Sequence, residues 1–311
     1  MLQNPPVQPP PVQNPLKGIV LKLGSVVVFI TMAALIKAAA VPAGQAVFFR
    51  SFFAIPVIVA WLALRGELAT GFKVVNPWGH GLRGVMGSTA MGLKFAGLLY
   101  LSLPDATALS YAAPLLTVVF AALILGERVR LFRYSMVGLG IMGVLIVLWP
   151  NLGHTASQGA AFGAALVLVG AVFTALAQIT IRKLVQVEKT AAIVFYFSVT
   201  SSVLGLATLP FGWVMPNPAQ AVMLVGAGLL GGVGQILLTS SYRWADASVV
   251  APFEYASILF ALGIGYVVFA EVPSGAMLTG AALVVLAGVL IIWRERALGI
   301  ERAKGKGAGS L

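Results

Sequence analysis

Long apolar segments alternate with short polar stretches along almost the whole chain. Ten of these segments hold about 20 residues each, the length that spans a hydrocarbon core of roughly 30 Å at about 1.5 Å per helical residue. Most polar stretches are too short for extramembrane domains, so consecutive helices should run antiparallel. The pattern predicts an all-α integral membrane protein with ten transmembrane helices. In order, these helices span 18–40, 43–64, 79–101, 104–126, 131–149, 158–182, 189–212, 219–243, 246–269 and 274–294.

The second half of the chain repeats the first. Residues 100–149 align with residues 242–293 through shared Tyr, Asp, Glu and Trp positions. Chance similarity between apolar helices is the alternative, but the fixed spacing favours duplication. Each half holds five predicted spans, and an odd number places the second half upside down in the membrane, as a 5+5 inverted repeat. The matched pairs are Tyr100 with Tyr242, Asp105 with Asp246, Glu127 with Glu271 and Trp149 with Trp293.

The chain divides into two five-helix repeats, 18–150 and 158–294, with a polar segment at each end. Residues 1–17 contain six prolines and no apolar period, which predicts a disordered, proline-rich arm. Residues 295–311 are predicted to form a polar cytoplasmic tail. Two lysines and an apolar stretch near the start also resemble a secretory signal. We favour an uncleaved first helix because a matching helix recurs in the second half.

Composition argues against a soluble globular domain and against several kinds of chemistry. The chain is 59% hydrophobic and 9% charged, whereas soluble domains are about 25% charged. It has no cysteine, which excludes disulfides and Cys-ligated metals. No GxxxxGK[ST] motif for an ATPase is present, and we expect no cofactor. The formal charge of +11 would fit a nucleic-acid partner only with a basic face on a soluble core, whereas these cations lie between apolar runs.

The cations concentrate at one face of the predicted bundle. With both termini cytoplasmic, 17 of the 20 Lys and Arg residues flank the cytoplasmic helix ends, and the external loops have none. The positive-inside rule then predicts a multi-pass protein of a bacterial-type cytoplasmic (inner) membrane, with the N- and C-termini in the cytoplasm. Arginines follow Glu127 but no cation follows Glu271, because the first corner is predicted to be cytoplasmic and the second external.

The repeat, the acidic corners that close predicted helices 4 and 9, and the segment APFEYASILFALGIGYVVFAEVP together resemble a known family. They are similar to the EamA family of the drug/metabolite transporter superfamily, and most of all to its amino-acid exporters of the YddG type. The resemblance covers residues 18–294. It implies a basket of helices 1–4 and 6–9 around a central cavity, with helices 5 and 10 packed outside. It does not specify the substrate, since the family exports amino acids, other metabolites and drugs.

Charged residues inside the predicted spans are candidates for function, because each costs about 3 kcal/mol unless it meets a partner or water. Lys37 lies near the outer end of helix 1 and is expected to snorkel to the surface. Arg50 is expected to pair with Asp105 or a helix C-terminus, with substrate contact as the alternative. Lys94 is the candidate partner of a substrate carboxylate. Glu254 is a candidate substrate contact and the one obvious proton carrier, although facilitated diffusion fits the sequence equally well.

Prolines, aromatic rings and amides complete the candidate site. Pro114 in helix 4 and Pro252 in helix 9 each remove one helical hydrogen bond, so they are predicted hinges whose freed carbonyls could receive an ammonium group. A structural kink is the alternative. Buried phenols and amides need polar partners, which a wet cavity or another helix can supply. The remaining predicted substrate contacts are Phe49, Tyr100, Tyr111, Gln178, Gln235, Tyr242 and Tyr255.

Small residues at four-residue spacing predict where helices pack closely. The motifs are Gly84-Ser88-Gly92 in helix 3 and Gly228-Gly232 in helix 8.

The leading hypothesis is a secondary transporter, not an enzyme. It would export small metabolites, with neutral and aromatic amino acids as the first guess, by alternating access through a cavity between the repeats. A multidrug or other metabolite exporter of the same superfamily is the alternative. An intramembrane enzyme is less favoured, because His80 and His154 fall in loops on opposite sides. A non-transporting receptor or scaffold is a third possibility. The expected partners are a small-molecule substrate and the bilayer, and the choice between monomer and dimer stays open.

Overall fold

The computed structural model describes residues 14–125, 131–152, 159–184, 187–245 and 250–308. Within these ranges the fold is all-helical and contains no strand, as the sequence predicts. The first repeat holds α1 (Pro15–Ala39), α2 (Ala43–Phe52), α3 (Ala54–Leu64), α4 (Leu68–Gly71), α5 (Pro77–Leu98), α6 (Leu103–Ser110), α7 (Ala112–Leu125) and α8 (Leu131–Leu152). The second repeat holds α9 (Ala160–Leu184), α10 (Thr190–Leu206), the 3-10 turn η1 (Leu209–Phe211), α11 (Pro218–Trp244), the 3-10 helix η2 (Ala251–Ala256), α12 (Ser257–Phe269) and α13 (Gly275–Ala308).

Each predicted span contains at least one of these helices, but they differ in length and polarity. Seven helical segments of the described chain are long and apolar enough to cross a membrane. Two further apolar helices, Thr190–Leu206 and Phe253–Phe269, are shorter. Helix α5 has 22 residues, including His80, Arg83 and Lys94. A multi-pass membrane protein follows from these segments, while the count of ten spans stays a prediction.

The first and last helices extend beyond their predicted boundaries. Helix α1 begins at Pro15, because the side chain of Asn14 accepts a hydrogen bond from the backbone N–H of Lys17 at 3.1 Å. Helix α13 continues to Ala308, so most of the predicted tail is helical. Most of the predicted proline-rich arm lies outside the described residues.

Three of the predicted spans are broken helices, and a proline lies beside two of the breaks. The second span bends at Phe53, just before Pro56, and the fourth bends at Tyr111, just before Pro114. The ninth span begins as η2, with Pro252 in its first turn, and becomes α-helical at Ser257. Proline lacks the N–H of the i to i−4 hydrogen bond, so the helix cannot continue unchanged through it. A helix break therefore lies next to the predicted hinge Pro114, whereas Pro252 opens η2 and the residues shortly before it lie outside the described chain.

The contacts between the two halves follow a twofold pattern. Helix α1 packs on α11 and α5 packs on α9; α2 packs on α10, α6 on α12 and α8 on α13. In terms of predicted spans, the pairs are 1 with 8, 3 with 6, 2 with 7, 4 with 9 and 5 with 10. Exchanging the two halves turns this set of pairs into itself, as expected of a repeat related by a pseudo-twofold axis.

Close packing occurs at both small-residue motifs. A Cβ atom at Gly228 would lie 2.4 Å from Cβ of Phe53, and one at Gly232 would lie 2.8 Å from Cβ of Val57. A Cβ atom at Gly84 would lie 2.6 Å from the side chain of Thr200. These glycines therefore let α11 approach α2 and α3, and let α5 approach α10, as the motifs predict.

Candidate transport site

Two faces of the bundle serve as reference points. The N-terminal face is the end at which α1 begins and α11 ends, where the backbone N–H of Asn14 donates to the carbonyl of Trp244 at 3.0 Å. The far face is the opposite end, where α1 ends at Ala39 and α6 begins at Leu103.

An ion pair joins the two repeats at the far face. Lys37 of α1 lies 2.7 Å from Glu271, which follows α12, and both side chains are about 15% exposed. Lys37 also donates to the carbonyl of Leu101, and the Glu271 carboxylate accepts the backbone N–H of Leu103 at 2.9 Å. The expectation that Lys37 snorkels to the surface is therefore wrong, because its ammonium group is bound inside this cluster.

The backbone around Glu271 aims its carboxylate into the bundle. Ala270 adopts a left-handed conformation with φ 53°, which ends α12 and turns the chain. The backbone N–H of Glu271 then donates to the carbonyl of Gly265 at 2.9 Å. The corner at Glu271 lacks neighbouring cations in the sequence, and its charge is balanced by a lysine from the other repeat.

We expect the Lys37–Glu271 pair to contribute measurably to stability. A double-mutant cycle with Lys37→Met and Glu271→Gln should give a coupling energy of about 1–3 kcal/mol, because both groups are largely shielded from solvent. The same cycle on Arg65 and Glu67, which lie 3.8 Å apart and are 43% and 36% exposed, should give about 0.5 kcal/mol or less. Unfolding of the purified protein in detergent measures both. Equal coupling in the two pairs would show that the Lys37–Glu271 contact is no stronger than an exposed surface pair.

A second ion pair lies deeper in the bundle. Lys22 of α1 is 1% exposed and pairs with Glu254 of η2, whose side chain is 48% exposed. Lys94 of α5 is close enough to Glu254 for electrostatic attraction, and it forms no ion pair within 4 Å among the described residues. The Lys22–Glu254 pair therefore joins the two repeats, and the charge of Lys94 acts on the same carboxylate.

Tyr111 and Tyr255, both predicted substrate contacts, lie together but face helices. Their rings pack edge to face with centres 5.1 Å apart, and the Tyr111 hydroxyl lies 2.5 Å from Oγ of Ser257. A Cβ atom at Gly288 of α13 would lie 1.7 Å from the Tyr255 hydroxyl, so this phenol fills the space that the glycine leaves. Both rings are buried. In this conformation both tyrosines make contacts between helices, which is the alternative to substrate contact.

The other predicted contacts are spread through the bundle. The Gln178 side-chain oxygen lies 3.1 Å from Oγ1 of Thr117. Phe49 belongs to a group of rings with Phe53 and Trp213, and Tyr100 packs on Phe162 at 5.5 Å. Gln235 is half-buried in α11. The Tyr242 side chain lies outside the described part of the chain. Of the predicted substrate residues, the structure packs Tyr111 on Tyr255 and places Lys94 within electrostatic range of Glu254.

Arg50 and Arg83 form a pair of cations with buried guanidinium nitrogens, which the sequence did not connect. Arg50 of α2 is 3% exposed. The guanidinium carbons of Arg50 and Arg83 lie 5.6 and 4.1 Å from the ring centre of Phe197 in α10. The predicted pairing of Arg50 with Asp105 is wrong: Asp105 accepts a hydrogen bond from Ser102 at 2.7 Å, and Arg50 forms no ion pair with any described residue.

His80 also lies elsewhere than predicted. It is buried in the first turn of α5, not in a loop, and its Nε2 lies 3.3 Å from Glu188. The same carboxylate accepts the backbone N–H groups of Val75 and Asn76 at 2.7 and 2.6 Å. Glu188 therefore fixes the start of α5 to the connection between α9 and α10, which is a structural role.

An apolar cavity of about 340 Å³ opens between α5, α7 and α9 near the N-terminal face. Its lining includes Trp78, Met86, Ile124 and Lys183. None of the predicted substrate residues belongs to it.

Both halves of the chain match a known protein family. The EamA-like transporter family matches residues 16–149 and residues 161–293, once in each half of the chain. A solved protein structure shares the fold with a TM-score of 0.64 at 21% identity, over 90% of this chain and 98% of that chain.

Several relatives are named transporters of bacterial metabolites. The chain is 30% identical over 277 residues to the Pseudopaline exporter CntI of Pseudomonas aeruginosa (strain UCBPP-PA14), covering 88% of this chain and 95% of that protein. It is 26% identical to the S-adenosylmethionine uptake transporter of Rickettsia prowazekii (strain Madrid E), with coverage of 81% and 83%. It is 29% identical to the Riboflavin transporter of Rhizobium johnstonii, with coverage of 82% and 83%. The matches in both halves and the near-complete overlap with the first relative show that this chain belongs to the EamA-like transporter family, within the drug/metabolite transporter superfamily.

Proposed function

We propose that this protein is a secondary transporter that exports small metabolites by alternating access between its two repeats. The observation that supports this most directly is the pair of broken helices, α6–α7 and η2–α12, which pack on each other across the repeats. Discontinuous helices at a repeat interface provide both a hinge and polar groups near the middle of a membrane. The transporter relatives fit a protein that moves a solute and performs no chemistry on it.

The far-face ion pair suggests which side is closed in this conformation. Lys37 and Glu271 connect α1 of the first repeat with the end of α12 of the second. Access from the far face would require this contact to break. In the proposed cycle it forms when the site faces the N-terminal side and is lost when the site faces the far side.

Neutral and aromatic amino acids remain the first proposed substrates. In this proposal Lys94 binds the carboxylate, and Glu254 supplies a negative charge near the ammonium group or carries a proton. The relatives named for pseudopaline, S-adenosylmethionine and riboflavin keep other metabolites as the alternative, and a multidrug exporter is a further one. Counterflow into sealed liposomes with labelled amino acids, sugars and cationic drugs tests the proposal. Exchange of a cationic drug with every amino acid inert would favour the multidrug alternative, and no exchange of any solute would contradict transport.

We also propose that both termini are cytoplasmic and that the far face is external. The chain contains no cysteine, so single cysteines can report orientation without background labelling. Ser274→Cys, which follows α12 at the far face, should react with an impermeant maleimide added to intact cells. Ser310→Cys in the tail should not react until the cells are opened. The reverse labelling would overturn the orientation.

A further inference from the structure

The Arg50–Arg83 pair has the features of a binding site, and neither cation forms an ion pair with a described residue. Nε and one terminal nitrogen of each guanidinium are fully buried and have no hydrogen-bond partner among the described residues. Among the described aromatic rings, Phe197 is the one that lies against both cations, and its ring attracts them but accepts no strong hydrogen bond. Arginine stays ionised at any physiological pH, so it cannot escape this situation by losing its proton. The two cations also repel each other, which further favours binding of an anion between them.

Two glycines make room for the pair. A Cβ atom at Gly87 would lie 1.8 Å from a terminal nitrogen of Arg83, so this guanidinium occupies the space beside the glycine. A Cβ atom at Gly231 would lie 3.0 Å from Nε of Arg50. Arg83 begins near the N-terminal face and runs along α5 towards its middle, while Arg50 starts from the other half of the bundle. The two guanidinium groups therefore converge inside the protein.

Both repeats contribute to this place. Arg50 and Arg83 come from the first repeat, on α2 and α5, whereas Phe197 and Gly231 come from the second, on α10 and α11. Substrate sites of inverted-repeat transporters lie near the midplane at the repeat interface. Movement between the repeats would open and close this site in the same step that changes access.

We propose that Arg50 and Arg83 bind an oxyanion, a carboxylate or phosphate group, of the transported solute; for a solute with a single carboxylate, they take the place of Lys94 as its partner. Guanidinium groups match such oxyanions with two parallel hydrogen bonds each, which gives both strength and geometric selectivity. The inference rests on the proposed transport function and narrows its substrate class to organic anions and zwitterions. It places cationic drugs without an oxyanion outside that class.

Binding can be measured without knowing the natural solute. The full-length protein, purified in uncharged detergent at constant ionic strength, is titrated with succinate, inorganic phosphate, benzoate or benzamide while its unfolding temperature is recorded. A ligand that binds the folded state raises this temperature in a saturable way. We expect at least one oxyanion to do so. Benzamide, which has the ring of benzoate without its charge, should have no effect. Comparing the carboxylates with phosphate identifies the preferred oxyanion.

Variants connect the binding to this pair. Arg50→Lys and Arg83→Lys keep the charge but lose the forked donor geometry, so each should weaken oxyanion binding at least tenfold. Gly87→Ala retains both arginines but occupies the space of the Arg83 guanidinium, and it should weaken binding similarly. The exposed Arg65→Gln serves as the control and should bind as the unchanged protein does. Gly87→Ala and Gly231→Ala keep the test decisive if a lysine variant fails to fold.

Two outcomes would overturn the inference. One is that no oxyanion stabilises the unchanged protein, and the other is that the lysine and glycine variants bind as tightly as it does. Liposome counterflow separates this from the proposed function. Solute exchange without oxyanion binding would support the proposed transport function and contradict the oxyanion site. Oxyanion binding without exchange of any solute would support the oxyanion site and contradict transport.

Discussion

Gly143→Leu should lower the free energy of unfolding by about 3 kcal/mol or more, because it inserts a side chain between two backbones in contact. A Cβ atom at Gly143 of α8 would lie 2.6 Å from the carbonyl oxygen of Gly280 in α13, and one at Gly280 would lie 2.5 Å from that of Gly143. The obstructing atoms are backbone, so no side-chain rotation can relieve the overlap. The two helices would have to separate. Thermal unfolding in detergent, followed by loss of helical circular dichroism, measures the effect.

Gly138→Leu is the matched control. It lies in the same helix, is exposed, and has nothing within 4 Å of its Cβ position. Leucine is a better helix former than glycine, so this change should leave stability equal or raise it by up to about 1 kcal/mol. A Gly143→Leu protein as stable as the Gly138→Leu protein would show that α8 and α13 do not pack as closely as the structure has them.

The helices and their repeat could be predicted because their signals are local. Apolar runs identify the helices from sequence alone, and Pro114 breaks its helix through the hydrogen bond that it lacks. The Gly84 and Gly228 motifs indicate close packing for the same reason, since the space at a glycine depends on its own missing side chain. The twofold set of helix contacts then follows from the duplication. Sequence reasoning succeeded where one residue, or one short period, determines the structure.

The ionic contacts could not be predicted, because each depends on partners far apart in the chain. Lys22 and Glu254 are 232 positions apart, and they meet only because α1 packs against η2. Lys37 likewise meets Glu271 through the packing of α1 on the ninth span. The depth of a lysine in a single helix cannot distinguish a bound ammonium group from a snorkelling one. A signal was present for Glu271, whose corner lacks the cations that surround Glu127 in the other repeat.

The position of Arg83 in its helix could be predicted from the sequence, but the location of its guanidinium group could not. Counting cations by position assigned it to the cytoplasmic flank, since it lies near the start of the third span. Its Cα does lie near the start of α5, but the long side chain runs along the helix to Gly87, one turn further into the bundle. The positive-inside rule uses the position of a residue along the chain, whereas anion binding depends on the position of its guanidinium group. Side chains as long as arginine can separate the two by a full helical turn.

Lys94→Met should reduce the apparent affinity for amino acids tenfold to hundredfold while leaving the protein folded. A hydrogen bond to a charged group contributes about 1.5–3 kcal/mol, which corresponds to that range. Methionine keeps the length and apolar stem of lysine and removes the charge. Lys189→Met is the control, because Lys189 is exposed and its ammonium group donates only to Thr70 among the described residues. It should transport like the unchanged protein. Tyr255→Phe should cost less, since its hydroxyl packs on Gly288.

Because Lys94 is also attracted to Glu254, its loss could weaken transport by disturbing the local structure. A second measurement is needed to separate this effect from the loss of a substrate contact. Phenylalanine and phenylalaninamide share a ring and an ammonium group, but only phenylalanine has a carboxylate. If Lys94 binds that carboxylate, Lys94→Met should raise the half-saturation concentration of phenylalanine in counterflow and leave the inhibition of counterflow by phenylalaninamide nearly unchanged. If Lys94 only holds Glu254 in place, both should weaken together, because the site itself is altered. Wild-type rates and half-saturation in a folded Lys94→Met protein would remove Lys94 from the substrate site altogether.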